Sequence, residues 1–172
     1  VLLQKTKKLA GDKISNPLVR IGCLAIPLAV ILLVLHGARY SGLGTNLITA
    51  SFTGDTIYRY DWILKLLLTI AALAIGFQGG EVTPLFSIGA SLGVVLGSVF
   101  GISPVICASL GYAAVFGSAT NTVIAPILIG LEVFGSQNAI LLVVVCLLAY
   151  MVNGNHSIYG AQVKALCSFE EK

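Results

Sequence analysis

Charged side chains are scarce in this sequence. Aspartate, glutamate, lysine and arginine make up 10% of its 172 residues, whereas a soluble domain of this length carries roughly 25%. Hydrophobic residues make up 57% of the chain, and its mean hydropathy is +0.97. The scarcity of charge excludes an ordinary soluble domain and indicates an integral membrane protein.

Signatures of catalysis, metal binding and secretion are also missing. No nucleophile–base pair and no phosphate-binding loop occurs, so we expect neither enzyme activity nor a cofactor. The four cysteines show neither Cys-x-x-Cys spacing nor a paired histidine pattern, which argues against a metal site and leaves packing as their expected role. The N-terminus lacks the pattern of a signal peptide. The cysteines are Cys23, Cys107, Cys146 and Cys167.

The first 20 residues carry much of the positive charge of a chain whose formal net charge is +3. Basic clusters beside an apolar span usually lie in the cytoplasm, and the apolar context argues against a nucleic-acid partner. We therefore predict that residues 1–16 are the end of a preceding helix and a basic cytoplasmic loop. We also expect a longer polypeptide, whose N-terminal half is missing here. The basic residues are Lys5, Lys7, Lys8, Lys13 and Arg20.

A polar, glycine-rich segment interrupts the apolar sequence at residues 76–84, which read Gly-Phe-Gln-Gly-Gly-Glu-Val-Thr-Pro. Its paired glycines disfavour a continuous helix, and Pro84 suits the first turn of a new one, predicted over about 84–100. Glu81 and Thr83 therefore lie at or beside a helix N-terminus, where unpaired N–H groups and the helix dipole favour an anion. Transporters build anion sites from helices broken in this way.

The other apolar segments are uneven in length. Some are too short to cross ~30 Å of hydrocarbon at a rise of ~1.5 Å per residue. Full spans mixed with half-helices and glycine breaks are typical of a transporter or channel core. The predicted full spans are 17–36, 61–76 and 137–152, the shorter helices are 46–52, 104–116 and 123–134, and a terminal amphipathic helix covers 157–172.

Glycines recur every four residues along the helix predicted at 84–100, at positions 89, 93, 97 and 101. This spacing places them on one face of a helix, which therefore has almost no side chains. Bare faces allow neighbouring helices to approach closely in membranes. We therefore predict that this helix lies at the centre of the assembly and not against lipid.

Several ionisable side chains have ordinary interpretations. Lys65 lies four residues after Asp61, so we expect an exposed pair or a snorkelling lysine near the interface, not an ion pathway. His36 and His156 lie near predicted membrane boundaries and are expected to be interfacial histidines. Glu132 is expected to orient a helix in the subunit interface and not to contact a substrate.

Several motifs follow one another along the chain, at residues 42–48, 79–84 and 125–132 and at Tyr159. In this order they resemble motifs of the CLC family of chloride channels and antiporters. Residues 79–84 stand in place of the Gly-x-Phe-x-Pro motif that opens the anion-binding helix in the second half of that family. Residues 42–48 resemble its Gly-Gly-Gly-Phe-Asn-Leu-Ile segment, residues 125–132 resemble its Ala-Pro and Leu-Glu pattern, and Tyr159 stands where the family places an anion-contacting tyrosine. The resemblance implies an all-α membrane protein, a CLC-type bundle of tilted, broken and half-spanning helices. Residues 17–172 would form the C-terminal half of its inverted repeat.

The helix-opening motif departs from that of chloride-type members, which have apolar residues at the positions of Glu81 and Val82. Its Gly-Gly-Glu-Val-Thr-Pro form resembles the bacterial fluoride/proton antiporter branch, where the Glu and Thr of this motif and the Tyr are implicated in the fluoride pathway. The resemblance therefore implies anion binding by Gly80, Glu81, Val82, Thr83 and Tyr159, and proton coupling through Glu81.

The chemistry of fluoride agrees in part with these residues. Fluoride is small and strongly hydrated, so its site must offer strong donors, such as backbone N–H groups, the Thr83 hydroxyl, the Tyr159 phenol or a protonated Glu81. An ionised Glu81 would repel the anion, so a proton could enter together with fluoride. Each side chain also has a structural alternative: an acid at its own helix end for Glu81, a helix cap for Thr83 and an interfacial aromatic for Tyr159.

Transmembrane halide transport is the function that these patterns favour, most concretely fluoride/proton antiport that exports fluoride. A chloride/proton antiporter or a voltage-gated-type chloride channel of the same family is an alternative, and a non-transporting membrane scaffold is another. The expected partners are fluoride or chloride, protons, the lipid bilayer and a second copy of the protein, since the resemblance implies a homodimer through about 121–152. We expect several crossings of the bacterial plasma membrane.

Overall fold

The computed structural model describes residues 2–14, 16–77, 79–154 and 156–159. All regular elements in these ranges are helical, and the predicted all-α fold is confirmed. The terminal helix predicted over 157–172 lies almost wholly outside the described residues. The helices are α1 (Leu2–Lys13), α2 (Pro17–Val34), α3 (Thr45–Thr53), α4 (Asp61–Ile75), α5 (Val82–Phe100), α6 (Pro104–Thr120), α7 (Ile124–Phe134) and α8 (Ala139–Val152), with a 3-10 turn at Ser136–Asn138 before α8.

The helices are uneven in length, as the sequence predicts, but the segments expected to be full spans at 61–76 and 137–152 form helices of only 15 and 14 residues, α4 and α8. α2 and α5 have 18 and 19 residues and are long and apolar enough to cross a membrane. α7 has 11 residues, which at ~1.5 Å per residue cover about half of the ~30 Å hydrocarbon core. α1 occupies most of the segment in which we expected a helix end and a basic loop.

Helix α2 begins where its cap sequence predicts. Pro17 is its first residue, and its ring tolerates the missing N–H at that position. The Asn16 side-chain oxygen accepts a hydrogen bond from the Leu18 N–H at 3.0 Å, which satisfies one of the free donors of the first turn. Local sequence therefore determines where the chain enters this helix.

Helix α5 packs against α6 through three of the four glycines of the predicted face, whereas the fourth, Gly101, ends the helix with a left-handed φ of 69° and has no atom within 4 Å of an added Cβ. Gly89, Gly93 and Gly97 are buried, and a Cβ atom added at each would collide with α6 near Gly111, Cys107 and Pro104, respectively. Contacts that run in opposite order along the two helices show that α5 and α6 are antiparallel. The start of α5 therefore lies beside the end of α6.

Helix α6 is longer than the sequence predicts. We expected a break after Phe116, but the helix continues to Thr120 and ends at Asn121 in the left-handed conformation, with φ of 56°. Gly117 lies inside the helix, and its missing side chain makes room for α7, since a Cβ atom there would lie 2.8 Å from Cγ of Pro126. The chain thus turns tightly from α6 into α7.

A small core joins α6, α7 and α8. Ala113, Leu142 and Cys146 form its buried centre. Gly130 of α7 lets the Leu142 side chain approach closely, since a Cβ atom added at Gly130 would lie 3.0 Å from Cδ2 of Leu142. Partly buried residues surround this centre, namely Leu110, Ile127 and Leu131. This core holds the middle of α6 against α7 and α8.

Candidate functional site

The chain breaks between α4 and α5 as predicted. Helix α4 ends at Gly76, whose left-handed φ of 113° suits a residue without a side chain, and the Gly76 N–H donates to Ala72 O. Gly79 and Gly80 follow in open space, with no atom within 4 Å of an added Cβ. Helix α5 begins at Val82, two residues earlier than expected, so that Pro84 is its third residue. The first N–H groups of α5 lack intrahelical partners and form its positive end.

Glu81 occupies the cap position of α5, but its side chain makes no capping hydrogen bond. Its Oε1 instead lies 3.2 Å from Nζ of Lys7 in α1, and the side chains of Lys7 and Glu81 are 45% and 23% exposed. The carboxylate is therefore only partly buried and has a cationic partner. The sequence contains four lysines among its first 13 residues, and no local signal distinguishes Lys7 from the other three.

A polar cleft of about 420 Å³ opens beside this ion pair. Lys7, Arg20 and Glu81 line it together with backbone around Gly76 and Gly79. The Arg20 Nε donates to the Ile75 carbonyl at 2.9 Å, so the guanidinium satisfies a carbonyl at the C-terminus of α4. With two cations against one carboxylate, the cleft is net positive and adjoins the positive end of α5.

Thr83 and Val82 form the first turn of α5, and both are partly buried. Thr83 is the second residue of the helix and does not occupy its cap position. Its hydroxyl lies in the turn whose N–H groups are free of intrahelical partners. The helix start thus places two kinds of donor, backbone N–H and a hydroxyl, within one turn.

Tyr159 belongs to a loop that is hydrogen-bonded to the end of α6. The Ile158 N–H donates to Ala119 O at 2.9 Å, and the Ser157 hydroxyl donates to Thr120 O at 3.3 Å. Because α5 and α6 are antiparallel, this loop lies at the end of the bundle where α5 begins. Tyr159 is 44% exposed.

Helix α1 contacts both the loop that carries Tyr159 and the residue that precedes α5. Gln4 Nε2 donates to Ser157 O at 3.3 Å, and Lys7, three residues later on the same face, pairs with Glu81. Glu81, Thr83 and Tyr159 therefore share one end of the molecule, although no hydrogen bond in the described part of the chain joins Tyr159 to the other two.

Comparison with known proteins identifies the family. The description of the matching family reads "Voltage gated chloride channel", and the match covers residues 1–154. The chain belongs to this CLC family. Its members are membrane proteins, which agrees with the apolar helices described above.

Two relatives extend this assignment. A protein of Pseudomonas syringae pv. tomato named "Chloride/fluoride channel protein" is 41% identical over 124 residues, which cover 72% of this chain and 27% of that protein. A crystal structure of a CLC-type fluoride/proton antiporter matches with a TM-score of 0.91 and 54% identity, over 94% of this chain and 41% of that one. The chain spans about a quarter of the first relative and about two fifths of the second.

A second polar cluster in this CLC chain lies at the start of α4. Asp61 is fully buried, and its carboxylate accepts hydrogen bonds from the Tyr40 hydroxyl at 2.5 Å, the Arg39 guanidinium at 3.0 Å and the Tyr58 N–H at 3.0 Å. The expectation of an exposed pair with Asp61 or of a snorkelling lysine is wrong, because Lys65 is 2% exposed and its ammonium donates to backbone carbonyls of the turn before α3. The turn before α3 buries the side chains of Asp61 and Lys65. The spacing of residues within α4 alone does not predict that turn.

The histidines and Glu132 lie at the surface. His36 is exposed, stacks on Tyr58 at 5.3 Å between ring centroids and shares a 3.0 Å hydrogen bond with the Tyr60 hydroxyl. Tyrosines grouped in this way are typical of the aromatic belt at a membrane boundary. His156 and Glu132 are also exposed.

Proposed function

We propose that this chain forms the second half of the transport domain of a fluoride/proton antiporter that exports fluoride. The observation that best supports this proposal is the position of Glu81 at the start of α5. Its carboxylate occupies the cap position but makes no capping hydrogen bond, and it lies in a net-positive cleft. The similarity to a solved fluoride/proton antiporter supports the choice of ion.

The donors at this end of the bundle suit a small, strongly hydrated anion. Removing water from fluoride is costly, so its site must replace water with short hydrogen bonds. The first-turn N–H groups of α5 and the Thr83 hydroxyl supply donors there. The third proposed donor is the Tyr159 phenol, on the loop that is hydrogen-bonded to the end of α6. Gly80 and Val82 contribute backbone to the site.

Glu81 links the anion to protons in this proposal. The ionised carboxylate pairs with Lys7 and repels fluoride. The protonated carboxyl releases Lys7, removes the repulsion and offers an O–H donor to the anion. Fluoride would then enter the site when Glu81 holds a proton, which is the chemical basis of coupled transport.

Chloride transport is the second candidate function. The name of the Pseudomonas relative covers both chloride and fluoride, and the positive end of a helix attracts either ion. The alternatives predict different ion selectivity of the intact protein.

We also propose that the intact protein is a homodimer in the bacterial plasma membrane, through residues of about 121–152. Both α7 and α8 present large apolar side chains that the described chain leaves uncovered. On α7 these include Ile124 and Leu128, which are 74% and 59% exposed, and on α8 they include Ile140 and Leu148, which are 80% and 55% exposed.

The function is tested with the full-length protein in lipid vesicles. Vesicles loaded with fluoride or with chloride are assayed in parallel with ion-selective electrodes, with and without an imposed proton gradient. We expect fluoride flux that exceeds chloride flux and that a proton gradient alone can drive. Chloride flux equal to or above fluoride flux would replace the proposal with the chloride alternative, and absence of both fluxes would support a scaffold.

A further inference from the structure

Lys65 of α4 is a buried cation without a carboxylate partner. Its residue is 2% exposed, and its ammonium donates to Tyr40 O at 2.9 Å and to Gly42 O at 2.7 Å. Among the residues that the structure describes, no carboxylate lies within 4.0 Å of this ammonium. Asp61, one turn earlier on α4, is paired with Arg39, so Lys65 leaves this buried cluster with one unbalanced positive charge.

Close packing connects Lys65 to α5. A Cβ atom on Gly44 would lie 2.7 Å from Cε of Lys65 and 2.5 Å from Oγ of Ser87. Only a glycine fits between the lysine stem and the first turns of α5, and its left-handed φ of 83° also favours glycine. The position of the ammonium is therefore fixed relative to α5.

One cavity joins Lys65 to the break before α5. It has a volume of about 370 Å³, and its lining includes Lys65 together with Gly79, Gly80 and Pro84. Most of the remaining lining is aliphatic, from α2 and α4, including Leu28, Leu68 and Leu73. A charge acts more strongly in such surroundings than in water, since the local dielectric constant is low.

The carbonyls bound by Lys65 do not by themselves explain the charge. A neutral amide could donate to Tyr40 O and Gly42 O without the desolvation cost of an ammonium. Ionisable residues inside a membrane protein are costly and usually serve ions or protons. An ammonium has three N–H donors, and the two carbonyls account for two of them.

We propose that Lys65 is an anion-positioning residue, whose charge and remaining donor hold a small inorganic anion in the cavity that it shares with Gly79, Gly80 and Pro84. The inference rests on the proposed function and adds to it a residue outside the motif at the start of α5. Lys65 sets how strongly the anion is held before it reaches Thr83 and Glu81.

The test compares variants of the full-length protein in vesicles. Lys65→Met removes charge and donors but keeps the length of the stem, whereas Lys65→Gln keeps two N–H donors for the carbonyls. Lys65→Arg keeps the charge, and Lys8→Met is the matched control because it removes an exposed lysine of α1. Initial fluoride efflux is measured against internal fluoride concentration, and the melting temperature of each purified variant is measured with and without fluoride.

We expect Lys65→Gln and Lys65→Met to raise the half-saturating fluoride concentration about tenfold and to reduce the stabilisation of the protein by fluoride. Lys65→Arg should lie closer to wild type than either, and Lys8→Met should match wild type. If Lys65→Met does not fold, Lys65→Gln decides the matter, because its amide keeps two N–H donors that can bond the carbonyls.

A purely structural lysine would give a different pattern. The melting temperature would fall in Lys65→Gln while its half-saturating concentration and fluoride-induced stabilisation stayed at wild-type values, and this result would overturn the inference alone. A wild-type protein without fluoride flux would overturn the proposed function and the inference together.

Discussion

The Lys7 ammonium and the Glu81 carboxylate lie 3.2 Å apart although 74 positions separate them in the sequence. Lys7 belongs to α1, and Glu81 precedes the first residue of α5. The pair therefore connects the basic N-terminal helix with the break that holds the candidate anion site. Both side chains reach solvent, so salt partly screens the pair.

Lys7→Met should weaken fluoride capture and leave the fold intact. Partly exposed ion pairs contribute about 0–1 kcal/mol to stability, so the melting temperature should change little. Loss of one cation makes the cleft beside Glu81 neutral, since Arg20 then balances the carboxylate. The half-saturating fluoride concentration should rise severalfold in low salt, and an inert salt should reduce this difference. Lys5→Met removes a charge from the same helix and should show no such effect.

Thr83→Val should reduce fluoride transport through loss of one hydroxyl. Valine has nearly the shape of threonine, so the first turn of α5 should form as before. A buried hydrogen bond to the anion would contribute on the order of 1–3 kcal/mol, which corresponds to a loss of about tenfold for each 1.4 kcal/mol. Thr83→Ser retains the hydroxyl and is the matched control. Equal fluoride efflux from the valine and serine variants would show that the Thr83 hydroxyl does not bind the anion.

Gly93→Ala should destabilise the protein because the added methyl group collides with the α6 backbone at Cys107. Overpacking of this kind costs typically about 1–3 kcal/mol. Gly22→Ala is the control, since no atom lies within 4 Å of its added Cβ on α2 and alanine favours a helix. Thermal unfolding of the purified full-length variants should show a lower melting temperature for Gly93→Ala only. Equal melting temperatures would contradict the close contact between α5 and α6.

Disulfide cross-linking should capture a dimer through α8. Leu141 is 46% exposed, whereas its neighbour Leu142 is fully buried against α6. On a background without native cysteines, Leu141→Cys, together with cysteines at other exposed α7 and α8 positions, should give oxidant-dependent dimers on gels. Leu142→Cys should not, because its side chain faces the core of its own subunit. A complete set of exposed positions without any cross-link would count against the proposed interface.

Patterns confined to one segment predicted the structure well. The Asn16 cap fixes the start of α2 at Pro17, and the four-residue glycine spacing identifies the face of α5 that meets α6. Both features depend on residues close in sequence. The break at Gly79 and Gly80 was predictable for the same reason, although Pro84 proved to be the third residue of α5 and not its first.

Features that depend on distant segments were not predictable. The burial of Lys65 requires the carbonyls of Tyr40 and Gly42, more than 20 positions upstream, and spacing within α4 indicates only a pair with Asp61. The Lys7 partner of Glu81 lies on another helix. The resemblance to the family predicted that Glu81, Thr83 and Tyr159 belong to one site. Their common location in the structure follows from the antiparallel packing of α5 and α6 and from the hydrogen bond between the Tyr159 loop and Ala119.

The most direct test of the account measures fluoride and proton fluxes together, in the same vesicles, for the wild-type full-length protein and Glu81→Ala. The wild type should move the two ions in a fixed ratio. Glu81→Ala, with an unchanged elution profile on size-exclusion chromatography, should move fluoride more slowly or lose the fixed ratio to protons, because the carboxyl group that carries the proton is gone. If Glu81→Ala retains both wild-type rates and their ratio, Glu81 does not couple fluoride to protons, and the central claim is contradicted.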